Sequence, residues 1–304
     1  MPKTSAFVMS ITPFDSHDRL DEAALRRHLR RMAAAGLAIY LGSPGSGEGH
    51  ALTPPELRRV FEIGVEECKG KVPVYATGFE PHSAEQLVAI GREAEAAGLD
   101  ALLIHPLDGG HGFRPTPAEL EQYYRDVLTA IKLPAQLVSH GFVGYVMPID
   151  ILQRLVEDYP ITGINVGTTD LNYLVGVHRA VGSKVSIYSG GFANTITNLS
   201  LGGEGFVDGI PNIAPKLCMS VVNHFRAGRI DQAGKAYSNV MAINSILYDA
   251  FPPPMARVLK VAMNILGLPA GYLRKPFLLP DEAAQEKLEK ALKELDVISL
   301  EENA

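Results

Sequence analysis

Short apolar runs alternate with longer amphipathic stretches along this 304-residue chain as far as about Pro215. The alternation is typical of repeated strand–helix units built around a parallel sheet. The apolar runs predict eight strands, over residues 6–10, 38–42, 72–77, 101–105, 135–139, 163–166, 185–189 and 205–208. Eight such units favour a closed (β/α)8 TIM barrel over an open sheet.

The amphipathic stretches between these runs predict helices over residues 21–35, 55–68, 83–97, 117–131 and 148–158. Thr53 and Ser83 stand at N-cap positions, and Gly36 and Gly98 at positions typical of C-terminal caps. After Pro215 helical patterns dominate, over residues 215–227, 229–250, 254–266 and 281–295, with a frayed tail expected over 299–304. The predicted domains are a barrel over residues 1–227 and a C-terminal helical domain over residues 228–304.

Composition narrows the class of protein further. A hydrophobic fraction of 46% is enough for a large core, and a net charge of −6 without any Lys/Arg block disfavours nucleic-acid and acidic-membrane partners. Cys68 and Cys218 are isolated, which indicates neither a disulfide framework nor a cysteine-rich zinc site. The apolar run near the N-terminus is too short for a signal segment or a membrane span. We therefore expect a soluble, cytoplasmic protein.

Several short motifs, in this order and spacing, resemble the dihydrodipicolinate synthase/N-acetylneuraminate lyase family over nearly the whole chain. They begin with Ser10-Ile11-Thr12-Pro13-Phe14-Asp15 and Gly45-Ser46-Gly47-Glu48. They continue with Leu201-Gly202-Gly203-Glu204-Gly205 and close with the segment from Leu266 to Pro276. The resemblance implies a barrel with a C-terminal helical domain that forms a homo-oligomer and acts on 2-oxo acids through a lysine imine.

The departures from the family pattern cluster at its chemistry. The family presents its lysine in a Gly-Ile-Lys-Glu segment, whereas this chain has Gly163-Ile164-Asn165-Val166. An amide nitrogen is delocalised and cannot attack a ketone as a lysine amine does. Val138 stands where the family's catalytic tyrosine is expected, and Gly45 replaces one threonine of a Gly-Thr-Thr-Gly-Glu loop. The resemblance therefore implies a class I aldolase scaffold that lacks its imine nucleophile.

No other lysine is predicted at the C-terminal end of a strand. Lys71, Lys132 and Lys184 precede strands, at the end of the barrel opposite its catalytic face, and the others fall in the N-terminal segment, on helices or in the closing loop. A relocated Schiff base is rejected on this ground. An ordinary dihydrodipicolinate synthase or sialic acid lyase is disfavoured, because such an enzyme needs the imine.

A glycine-rich loop follows the second predicted strand. Over residues 42–49 it offers backbone N–H groups and the hydroxyls of Ser43 and Ser46, between Gly45 and Gly47. Such turns bind anions, so we expect this loop to hold a substrate carboxylate, with Thr12 on the same face of the barrel. The alternative is a tight turn whose glycines serve only its backbone conformation.

Two histidines, His105 and His140, end the fourth and fifth predicted strands, which are neighbours in a barrel. With Glu48 and Asp108 they could form an acid/base set near neutral pH. They could instead bind Zn²⁺ or Mn²⁺ as a Lewis acid, or merely hydrogen-bond loop carbonyls. Because no HxH or HExxH spacing is present, we predict neither a metal nor a cofactor.

Polar and backbone groups at the remaining strand ends complete the predicted site. Asn165 and Thr168 could donate hydrogen bonds to a substrate carbonyl or enolate, or could be neutral fillers. Backbone contacts to the ligand are predicted at four further positions: Ser189, Gly190, Gly209 and Ile210.

Two functions from different classes remain. The first is a lyase of the aldolase superfamily that acts on a small 2-oxo or hydroxy carboxylic acid without a Schiff base. The second is a catalytically silent relative that binds a small carboxylate as a sensor or structural subunit. Two histidines at adjacent strand ends favour the enzyme. A homodimer or homotetramer is expected, and apolar loop residues could face the neighbouring subunit: Leu107, Phe113, Phe142, Val143 and Tyr145.

Overall fold

The computed structural model describes residues 6–108, 110–112, 114–141, 146–250 and 255–304. Eight parallel strands close into a barrel in chain order, and β8 pairs with β1. The strands are β1 (Ala6–Met9), β2 (Ala38–Leu41), β3 (Val74–Ala76), β4 (Ala101–Ile104), β5 (Ala135–His140), β6 (Ile161–Gly167), β7 (Ser186–Gly190) and β8 (Gly205–Asp208). The predicted (β/α)8 barrel is confirmed.

In the described ranges, eight α-helices alternate with the strands: α1 (Glu22–Ala34), α2 (Pro54–Cys68), α3 (Ala84–Ala97), α4 (Pro117–Ala130), α5 (Ile149–Asp158), α6 (Leu171–Val181), α7 (Thr195–Ser200) and α8 (Pro215–Arg226). C-terminal helices follow as α9 (Ile230–Ala250), α10 (Met255–Ile265), α11 (Glu282–Glu294) and α12 (Val297–Glu302). Within the described ranges, no helix combines the length and the apolar character needed to cross a membrane.

Local sequence explains where several helices begin and end. The Thr53 and Ser83 side chains accept backbone N–H groups as N-caps of α2 and α3, as predicted. Thr53 also forms a capping box with Glu56. Helix α3 ends at Gly98, whose φ of +83° lies in the left-handed region that glycine adopts without strain.

The barrel interior is filled by its own hydrophobic cluster, separate from the core between strands and helices. Phe7 stacks on Tyr40 with ring centroids 4.4 Å apart and meets Tyr188 edge-on at 5.1 Å. Leu103 and Val138 belong to the same cluster. Because these side chains fill the interior, space for a ligand is confined to the ends of the strands.

The C-terminal tail differs from its prediction. Residues 297–302 form α12 rather than a frayed end. The two carboxylate oxygens of Glu301 accept the N–H groups of Lys216 and Leu217 at 3.1 and 3.0 Å, at the start of α8. The first N–H groups of a helix lack partners within it, so this carboxylate fastens the tail to the barrel.

Candidate active site

Strand alternation directs the predicted site residues of β5 and β6 into the barrel. Asn165 is 4% exposed and is paired in register with Val138 on β5 and Tyr188 on β7, both of the inner cluster. Two residues further along, His140 pairs with Gly167. Since side chains two apart on a strand share a face, His140 lies one layer above Val138 on the inward face.

His105 is buried and His140 is partly buried, and the two side chains interact electrostatically. His105 is 3% exposed, and neither of its ring nitrogens has a hydrogen-bond partner in the described part of the chain. Burial, and secondarily the charge of His140, lower the pKa of His105 to about 4. Burial likewise lowers the pKa of His140 to about 4. Both imidazoles are therefore neutral near pH 7, and each carries one donor and one acceptor nitrogen.

The absence of a side chain at two glycines provides space for His140 and Asn165. A Cβ at Gly167 would lie 1.9 Å from Cδ2 of His140, so the imidazole lies directly against β6. A Cβ at Gly190 would lie 2.6 Å from Oδ1 of Asn165, an atom without a hydrogen-bond partner among the described residues. The site is thus built from side chains of β4, β5 and β6 over glycine backbone of β6 and β7.

Tyrosines of the outer helices fix the strand ends that carry the histidines. On α4, the Tyr123 hydroxyl donates to the carbonyl of His105 at 2.6 Å, and the Tyr124 hydroxyl donates to that of Val138 at 3.3 Å. The Ser139 hydroxyl lies 2.6 Å from the Tyr173 hydroxyl of α6. Sequence reasoning assigned these tyrosines no such role, because an aromatic residue on an amphipathic helix equally predicts core packing.

The glycine-rich loop uses part of its hydrogen-bonding capacity internally. Ser43 is fully buried, and its hydroxyl accepts the N–H of Gly47 at 3.0 Å. Ser46 is 4% exposed, and its Oγ lies 2.8 Å from the Cβ position of Gly209, so the loops after β2 and β8 touch. Gly45 is exposed, with open space around its Cβ position. The exposed part of this loop is its tip.

Tight packing forces glycine at other points of the same loop. A Cβ at Gly47 would lie 2.7 Å from the backbone nitrogen of Ser43, and one at Gly49 would lie 2.0 Å from the carbonyl oxygen of Gly42. Thr12, predicted on the same face, is 1% exposed. The loop is therefore a compact, well-defined turn as well as a candidate anion site.

The two predicted carboxylates are engaged elsewhere. Glu48 is 2% exposed and binds the Nζ of Lys260 on α10 and the backbone N–H of Arg274, the latter at 3.0 Å. Asp108 is half-exposed, with Oδ2 3.6 Å from Nδ1 of His82. Among the described residues, no three His, Cys, Asp or Glu side chains form a group that could hold a metal ion. The two histidines are thus neighbours of each other, whereas Glu48 and Asp108 interact with other side chains.

Other predicted binding residues shape the turns at the strand ends. The Thr168 hydroxyl accepts the N–H of Asp170 at 3.0 Å. Ser189 is fully buried, and its Oγ lies 3.2 Å from the first carbonyl of β8. The N–H of Ile210 donates to Asp208 at 2.7 Å. Contacts of these residues with a ligand stay predictions.

Most of the apolar loop residues expected at a subunit interface are not among the described residues. Phe113, Phe142, Val143 and Tyr145 lie outside the described residues, whereas Leu107 is buried within the subunit at 9% exposure.

The chain is similar in sequence to known proteins. A model of the Dihydrodipicolinate synthetase family matches residues 3–295. A 4-hydroxy-tetrahydrodipicolinate synthase of Methanococcus aeolicus is 29% identical over 296 residues, which is 96% of this chain and 99% of that protein. One of Magnetococcus marinus is 29% identical over 95% of this chain and 96% of its own length.

Solved structures show the same fold. A dihydrodipicolinate synthase from Bacillus anthracis superimposes with a TM-score of 0.88 at 21% identity, covering 96% of this chain and 98% of that one. A prophage protein of the dihydrodipicolinic acid synthase family from E. coli K12, solved in complex with pyruvate, gives 0.88 at 19% identity over 98% and 100%. With the matching family model, this likeness establishes that the chain belongs to the Dihydrodipicolinate synthetase family.

Proposed function

We propose that this protein is a lyase that acts on a small 2-oxo or hydroxy carboxylic acid without a lysine imine. The observation that carries the proposal is the pair of neutral imidazoles, buried His105 and partly buried His140, at neighbouring strand ends of the barrel. Asn165 takes the position at which the family pattern has its lysine. The E. coli relative solved with pyruvate supports a 2-oxo acid as ligand.

In the proposed reaction the histidines move the proton. A neutral imidazole accepts a proton from the carbon next to the substrate carbonyl, and the resulting enolate is held by hydrogen-bond donors. The Asn165 amide and the N–H of the second imidazole supply such donors, since a neutral histidine can polarise a carbonyl. The loop over residues 42–49 holds the carboxylate with its backbone N–H groups and the Ser46 hydroxyl.

Proton exchange tests this proposal without knowledge of the natural substrate. Pyruvate is incubated with the protein in D₂O, and loss of its methyl signal is followed by NMR. We expect the methyl group to exchange faster with the wild-type protein than without protein. In His105→Asn the exchange rate should fall on the order of 10²-fold or more, because general base catalysis contributes at least that much. The matched control is His224→Asn on α8, whose ring nitrogen receives a bond from Arg229.

Two results would contradict the proposal. Equal exchange in wild type and His105→Asn would remove the histidine from the chemistry. Binding of pyruvate and a panel of hydroxy acids without any exchange or turnover would instead support a catalytically silent protein that binds small carboxylates.

We also propose that the protein is a homo-oligomer, a dimer or tetramer. On α6, Leu171 and Val175 lie one turn apart and are 49% and 37% exposed, an apolar pair suited to a subunit contact. Sedimentation velocity tests this, and Leu171→Glu is expected to shift the distribution toward smaller species. A monomer at all concentrations would contradict the proposal.

A further inference from the structure

A segment near the C-terminus, residues 270–279, lies across the loops that leave β1 and β2. Tyr272 forms an antiparallel bridge with Phe14, and its N–H donates to the Phe14 carbonyl at 2.8 Å. Arg274 pairs with Glu56 of α2 at 2.6 Å and lies over the Phe14 ring at 4.2 Å. The C-terminal helices are thus connected directly to the catalytic face.

Lys260 of α10 is the buried centre of this connection. Its side chain is fully buried, and its Nζ binds the Glu48 carboxylate, donates to the carbonyl of Tyr272 at 2.7 Å and lies 4.6 Å from the centroid of the Phe14 ring. Burial lowers the pKa of Lys260 to about 8, against the opposing effect of Glu48. The lysine therefore stays largely charged near neutral pH and complements the carboxylate.

The backbone of Glu48 adopts an unfavourable conformation. Its φ of +51° lies in the left-handed region, which is unfavourable for a residue with a Cβ. Its carbonyl accepts the N–H of Ala51 at 2.8 Å, in the short turn by which the glycine-rich loop ends. Fixing both carboxylate oxygens, one by Lys260 and one by the Arg274 N–H, therefore fixes the geometry of the loop.

We propose that Lys260 is a positioning residue for the site: through Glu48 it holds the glycine-rich loop, residues 42–49, in the conformation that binds the ligand carboxylate. Carboxylate binding by this loop is part of the proposed function, and to that extent the inference rests on it. Glu48 then serves as the link between α10 and the loop rather than as an acid or base. Loss of the ion pair loosens the loop and weakens binding while the barrel stays folded.

The test uses Glu48→Gln/Lys260→Met, because removing Lys260 alone would leave an unpaired buried carboxylate and could unfold the chain. The matched control is Lys293→Met on α11, which breaks an exposed ion pair with Glu289. Amide hydrogen exchange over residues 43–49 is measured without ligand, and the affinity for pyruvate is measured by calorimetry. We expect loop exchange and pyruvate Kd each to rise about tenfold or more over the control, with β4 to β6 still protected.

The outcomes separate this inference from the proposed function. Loop exchange equal to that of the control overturns the role of Lys260, and so does unchanged pyruvate affinity in a protein that binds it. If the wild-type protein binds neither pyruvate nor hydroxy acids, the proposed function fails, and hydrogen exchange alone decides whether Lys260 holds the loop.

Discussion

The imidazole of His140 can occupy its position only because residue 167 is a glycine. The ring lies where a Cβ at residue 167 would project, within 1.9 to 2.3 Å of three ring atoms. A glycine at this strand end therefore reflects close approach by a neighbouring side chain rather than a special backbone angle. The same principle applies at Gly190, which accommodates the Asn165 amide.

Gly167→Ala is expected to destabilise the protein by about 1–3 kcal/mol, because His140 must leave its place to avoid the new methyl group. Urea unfolding measures this, with Gly234→Ala as the control. Gly234 lies within α9 and has no atom within 4 Å of its Cβ position, so alanine there should stabilise by about 0.5–1 kcal/mol. Equal effects of the two substitutions would contradict the placement of the His140 ring.

At the scale of elements, periodicity predicted the strands to within about two residues at most ends, because each buried run is bounded by turn residues. Helix α12 could not be predicted in the same way. Its Glu301 caps a helix 85 residues earlier in the chain, and a local pattern carries no sign of so distant a partner. Short helices need such tertiary contacts to be stable.

Glu301→Ala should lower the free energy of unfolding by about 1 kcal/mol, as loss of a helix cap commonly does. Faster amide exchange is expected in α12 and in the first turn of α8, with β1 to β8 unaffected. Glu302→Ala, on an adjacent exposed side chain, is the control. Unchanged exchange at Lys216 and Leu217 would show that the carboxylate does not fasten the tail.

At the scale of the whole molecule, the barrel made it predictable that the candidate residues would meet at one face. Eight strand ends meet at one face, so His105 and His140 were expected as neighbours, and the effect of His140 on the pKa of His105 agrees. The ion pair of Glu48 with Lys260 joins residues 212 positions apart and involves a helix beyond the barrel. Strand topology does not predict such a contact, and for this reason Glu48 was predicted to be a carboxylate available for acid/base chemistry.

Stability should fall in acid because buried histidines resist protonation. The folded-state pKa of His105 is about 4 against an ordinary 6.5, so its contribution is present above about pH 6.5 and is lost as the pH falls toward 4. His28, with a pKa of about 3, acts with the same sign. Across this window wild type should lose about 1.4 kcal/mol more per pH unit than His105→Asn. Parallel stability curves for the two proteins would contradict the burial of a neutral imidazole.

We propose that this member of the family binds its carboxylic acid without an imine. Borohydride trapping in the presence of pyruvate tests this proposal. The product is read by intact mass, beside a dihydrodipicolinate synthase that forms the adduct. We predict no mass increase for this protein under conditions in which pyruvate is bound. A reduced pyruvate adduct would show that the protein does form an imine, and peptide mapping would then identify the reactive lysine, with Lys260 examined first.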